Sequence, residues 1–172
     1  SLPDDEFDAY LEIAGSIGSD AQLRAALRSP LAREDLSDAT VAKVIALAGA
    51  TIGSDSQLRA LLDDGARRVT SSDELVRAFV NAVDTIGSDS QARAALSALA
   101  DAGELSPAQW RMLLQGALGI GSDSQCASLL TSIAPRLPRD EETLAAYRRA
   151  LSTIGSQSQA RRAEEAIGMV RL

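Results

Sequence analysis

An all-α fold, a right-handed α-solenoid of five helix–turn–helix repeats, is what this sequence predicts, and three observations predict it. A hexapeptide recurs at a nearly fixed interval: "IGSDAQ" from Ile17, "IGSDSQ" from Ile52, Ile86 and Ile120, and "IGSQSQ" from Ile154. The isoleucines are 35, 34, 34 and 34 residues apart, the kind of period at which stacked units bury their apolar faces on their neighbours. Apolar residues around each copy fall at helical spacing, and aromatics make up only 3% of the chain. An aliphatic, alanine-rich core suits helices packed closely together.

The spacing divides the 172 residues into one domain of five units, approximately 1–35, 36–70, 71–104, 105–138 and 139–172. Before each motif lies a first helix. Seven residues ahead of the isoleucine stand Tyr10, Ile45, Phe79, Leu113 and Tyr147. Four residues ahead stand Ile13, Ala48, Ala82, Gly116 and Ala150, small in four of the five. In the second unit Val41, Val44, Ile45, Ala48 and Ile52 share one helical face, and Leu75 to Ile86 repeat the pattern in the third. After each motif a second helix begins, with Leu58, Leu61, Leu62 and Val69 as its apolar positions in the second unit and Cys126, Leu129, Leu130 and Ile133 in the fourth. Ten helices and no strands follow.

Stop and start signals separate the units. "PDDE" near the amino terminus places acidic residues at a helix start. Pro30, Pro135 and Pro138 are expected to end helices. "SPAQ" from Ser106 reads as a capping box with proline at the first helical position, and Ser71 with Glu74 as a second box.

Within the hexapeptide, glycine is expected in a left-handed conformation at the end of the first helix. Serine then caps the second helix, aspartate favours its positive end, and glutamine three residues after the serine completes a capping box. The motif is thus read as a turn and not as an active site. A serine nucleophile would need a base, yet the chain has no histidine and only one lysine, Lys43. A phosphate loop would want more glycine and a lysine, and a calcium loop more oxygen ligands. No catalytic residue, metal ligand or cofactor is predicted, and the chain is not expected to be an enzyme.

The net charge of −7 disfavours a nucleic-acid-binding helical repeat, whose basic stripe would displace counterions. The single Cys126 allows no internal disulfide and reads as a small buried hydrophobe. Trp110 falls in an apolar column with Phe7, Ala42, Val76 and Leu144 and reads as packing. No stretch resembles a membrane span or signal peptide, and the absence of an initiating methionine suggests an excised segment or processed product.

Candidate partner-binding residues are Arg24, Arg59, Arg93 and Arg161, which share one column of the second helix. Asp20, Asp55 and Asp89 lie four residues before the first three, the spacing of helical ion pairs worth ~0.2–0.5 kcal/mol each. A row of guanidinium groups along a stacked array could instead grip carboxylates of a partner. In the fifth unit Glu164 replaces a leucine and Arg162 an alanine or serine, as expected of a terminal unit with a polar outer face. The first unit is less polar, so the amino-terminal end is expected to meet another domain.

"TIGSDSQLRALL" and "TIGSDSQARAAL" resemble HEAT-like α-helical repeats of some bacterial envelope proteins, including regions attached to membrane zinc-peptidase sensors. Tetratricopeptide repeats share the length, but their Trp–Leu–Gly–Tyr pattern is missing. The resemblance implies a non-catalytic scaffold or sensor module that binds another protein, with a periplasmic or membrane-anchored parent. An alternative is an intramolecular regulatory or spacer segment of a larger envelope protein.

Overall fold

The computed structural model describes residues 4–168, and they form ten α-helices joined by short turns, with no strand among them. The first helices of the units are α1 (Asp4–Gly15), α3 (Asp38–Thr51), α5 (Asp73–Val83), α7 (Pro107–Ala117) and α9 (Glu141–Leu151). The second helices are α2 (Asp20–Leu31), α4 (Asp55–Val69), α6 (Asp89–Asp101), α8 (Asp123–Ile133) and α10 (Gln157–Ile167). The "PDDE" start falls on Pro3 and on the side chains of Asp4, Asp5 and Glu6, which lie outside what is described.

Helices pack in neighbouring pairs. α1, α3, α5, α7 and α9 contact one another in succession, and α2, α4, α6, α8 and α10 do the same. Between the two rows lies a continuous apolar core. It contains the expected columns: Ile45, Phe79, Leu113 and Tyr147 are almost wholly buried, as are Leu27, Leu62, Leu96 and Leu130. Trp110 is buried too, with the Arg136 guanidinium 5.8 Å from its ring centroid.

Where helices must approach closely, small residues permit it. A methyl group on Gly49 of α3 would come within 3.1 Å of the Cα and Cβ of Ala82 on α5. One on Gly116 of α7 would meet Val80 at 3.0 Å and Leu96 at 3.2 Å. Ala82 and Gly116, two members of the small column four residues before the motif, thus stand where a first helix settles onto its predecessor.

Several helix ends follow the expected signals. Ser106 accepts from Gln109 N while Gln109 Oε1 accepts from Ser106 N, the reciprocal capping box of "SPAQ". α8 stops at Ile133, and a single 3₁₀ turn, Ala134–Arg136, carries the chain through Pro135. Two signals are displaced. α2 runs one residue past Pro30, because Leu31 is drawn into the core against Gly65 of α4. The cap of α5 is Ser72, not Ser71; its hydroxyl accepts from Leu75 N at 3.4 Å.

The hexapeptide turn differs most from expectation. Its serines do stand at helix N-caps in extended conformation, yet none of their hydroxyls makes a capping bond. In the last four units the hydroxyl lies beside that of the serine two residues on, as in Ser54 and Ser56 at 3.1 Å. Nor are the motif glycines left-handed: among the described residues only Gly168 is.

The place of the glutamine is taken by an interaction between units. Asp20 Oδ2 accepts from Ser54 N at 2.7 Å, with Gly53 N 3.4 Å from Oδ1. Asp55 accepts from Gly87 N at 3.1 Å, and Asp89 from Gly121 N at 3.0 Å. Asp123 accepts from Gly155 N at 3.1 Å and Ser156 N at 2.7 Å. In a capping box the glutamine would take the N-cap residue's N–H. At Ser54 and Ser156 a carboxylate from the preceding unit already holds it, and a charge-assisted bond is the stronger of the two.

Candidate functional site

The expected ladder of Asp20–Arg24, Asp55–Arg59 and Asp89–Arg93 ion pairs does not form, since each aspartate is turned toward the next unit. The arginines find other partners. Arg24 Nη2 lies 3.0 Å from Asp64 Oδ2 on α4, and Arg28 Nε reaches the same oxygen at 3.2 Å. Arg59 pairs with Asp63 at 3.0 Å, one helical turn on. Arg93 Nε donates to Gln125 Oε1 of the next unit at 2.7 Å. Arg161, with no following unit among the described residues, pairs with Glu165 on its own helix at 2.9 Å.

The column is therefore a row of engaged guanidinium groups and not a bare cationic strip. Arg24, Arg59 and Arg93 are only partly exposed, whereas Arg161 is open to solvent. Asp63 and Asp64 are the site's principal acids. Burial pushes the Asp63 carboxyl up from the ordinary aspartate value, against the opposing pull of Arg59. Arg24 Nε and Asp63 Oδ1 are buried without a hydrogen-bond partner, so this part of the α2–α4 contact is incompletely satisfied. Sequence reading passed over Asp64 because no other unit has an acid in its column, and over Asp63 because only Glu165 of the fifth unit shares its column as an acid; "LLDDGARR" occurs once.

A second feature lies on the other row. A groove of about 600 Å³ runs between α3 and α5. Ala42, Ala46 and Gly49 line it from α3, and Ala78 and Ala82 from α5, with Arg77 alongside. It exists because small residues at the α3–α5 contact leave unfilled space on the outer surface. The small column announced the close helix approach but not the groove, which depends on how neighbouring alanines of two units line up.

Two buried titratable side chains are held within the core. Cys126 is buried, and burial pushes its thiol up, away from the reactive thiolate. Tyr147 donates from its buried hydroxyl to Ala163 O at 2.8 Å, and burial likewise raises its phenol. Among the described residues no three His, Cys, Asp or Glu side chains are grouped as metal ligands. No helix among them is long and apolar enough to cross a membrane.

Compared with family models, curated proteins and solved structures, this chain matches none. The resemblance to HEAT-like envelope repeats therefore rests on the quoted stretches alone.

Proposed function

We propose that this chain is a non-catalytic protein-binding module, a right-handed α-solenoid of five helical hairpins that presents one helical row to a partner protein. The observation that carries the reading is the α3–α5 groove. Its Ala42, Ala46, Gly49, Ala78 and Ala82 lining offers shallow apolar space into which larger side chains of a partner helix could fit. Two rows of helices in succession support it, because they hold such a surface rigidly and along most of the chain. Paired as they are, the arginines of the second row add orientation and charge complementarity more than raw affinity.

The test is affinity capture with the folded chain as bait, run in parallel with two variants. Ala46→Arg places a long charged side chain in the groove from an exposed position. The triple change of Arg24, Arg59 and Arg93 to Gln removes charge from the other row. A partner retained by the triple variant and lost with Ala46→Arg supports the groove. A partner lost only with the triple variant moves the site to the second row. Capture of nothing, with variants still helical by circular dichroism, would sink the binding-module reading in favour of an intramolecular spacer.

A further inference from the structure

The face that the first unit turns away from the second repeats, unfilled, what every later unit uses to receive its predecessor. Ile13 occupies the column of Ala48, Ala82, Gly116 and Ala150. Those four are buried, whereas Ile13 is 71% exposed, the one large apolar side chain so exposed among the described residues. On the second helix Leu61, Ala95, Leu129 and Ala163 are wholly buried, while their counterpart Ala26 is only partly covered. At the turn, the glycine or serine N–H groups of units two to five are held by a carboxylate, but no acceptor is found for Gly18 N or Ser19 N among the described residues. A methyl group added at Gly18 would meet nothing within 4 Å, whereas at Gly53, Gly87, Gly121 and Gly155 it would touch that carboxylate.

We infer that this face is a docking surface for one further helical hairpin, of the kind that carries an aspartate at the first position of its second helix. The occupant's chemistry is read from the junction repeated four times within the chain. It must bring a carboxylate to the Gly18 and Ser19 amides and an apolar surface over Ile13. A second copy stacked head to tail does not fit. Its outer face has Gln157 where the aspartate should be, and Glu164 where Leu27, Leu62, Leu96 and Leu130 are buried in the other units. Stacking would bury that carboxylate without a partner, a costly arrangement. The two end faces are thus unlike: the fifth unit's carries Gln157 and Glu164, and the first unit's keeps the receiving surface. This inference is independent of the α3–α5 groove.

The experiment extends the full chain at its amino terminus with a second copy of residues 36–70 and reads the accessibility of position 13. Ile13→Cys is made in the extended and unextended chains, and its rate of labelling by a thiol reagent is measured; Cys126 is buried and serves as the slow internal reference. Extension is expected to slow labelling about tenfold or more, as protection by local packing does. Changing Asp55→Ala in the added copy alone should restore most of the rate. Unchanged labelling overturns the inference, and so does slowing that is indifferent to the added aspartate. Concentration-dependent protection in the unextended chain would also overturn it, by showing that a second copy is the occupant.

Discussion

Asp123 and Ser156, 33 residues apart, are joined by a 2.7 Å hydrogen bond from the Ser156 backbone N–H to Asp123 Oδ2. The bond crosses a unit boundary and is made again by Asp20 to Ser54. Asp55 and Asp89 make the reduced version, with a glycine amide alone. In the fifth unit the aspartate is replaced by Gln157, where no sixth turn follows among the described residues. The motif's acid is thus a staple between hairpins as well as a residue at a helix start.

The staple and the serine should therefore separate by mutation. Asp20→Ala and Asp123→Ala remove a charged acceptor from two backbone amides and should each cost about 1.5–3 kcal/mol. Asp55→Ala and Asp89→Ala should cost less. Ser54→Ala, Ser88→Ala and Ser122→Ala remove hydroxyls that make no capping bond, and should stay within about 0.5 kcal/mol. Urea midpoints at unchanged m-value provide the measurement; serine variants as damaging as the aspartate variants would return the hydroxyl to the capping role.

Glycine positions should divide in the same way. At Gly87 an added methyl would lie 3.6 Å from Asp55 Oδ2, an ordinary contact, and the backbone is not left-handed. Gly87→Ala is expected to be neutral, or stabilising by a few tenths of a kcal/mol, by restricting the unfolded chain. Gly49→Ala drives a methyl against the Ala82 backbone at 3.1 Å, which cannot yield without moving a helix. Overpacking of that kind costs about 1–3 kcal/mol, visible as a lower thermal midpoint.

Tyr147 and Tyr10 both bridge the two helices of their own unit, to Ala163 O and Ala26 O, each at 2.8 Å. Tyr147 is wholly buried and also reaches Leu130 O at 3.3 Å. Tyr147→Phe should lose about 1 kcal/mol, and Tyr10→Phe, where water can replace the partner, less. Equal losses in chemical denaturation would show that burial does not set the difference.

Acid should act through Asp38. The Ser72 hydroxyl, and after it the Arg68 guanidinium 2.6 Å away, hold this carboxyl below its ordinary value of 3.8. A carboxylate with a depressed folded pKa contributes stability above its unfolded pKa, and that contribution is lost as pH falls through the folded value. Wild type should thus exceed Asp38→Asn at neutral pH, with the gap closing below 3.8. A gap that stayed constant across the acid titration would deny the linkage.

Helix content, helix order and most buried positions were legible because they depend on local periodicity. Phe79 and Leu113 recur at the same distance from the motif and both end in the core. The candidate site was less legible. Arg24 and Asp64 are 40 residues apart in sequence, and Asp64 has no counterpart by which a repeat pattern could have flagged it. The exposure of Ile13 was hidden in a column whose other members are all buried.

By itself, then, the sequence determined that this protein is an array of helical hairpins joined by one recurring turn, because the periods of apolar and turn residues are properties of neighbours along the chain. What the hexapeptide's side chains do was decided only in tertiary structure. A glutamine and an aspartate could each satisfy the amide of the capping serine, and at Ser54 and Ser156 a charged acceptor arriving from the preceding unit takes it first. That competition is settled by geometry across a stacking boundary, which no single repeat contains.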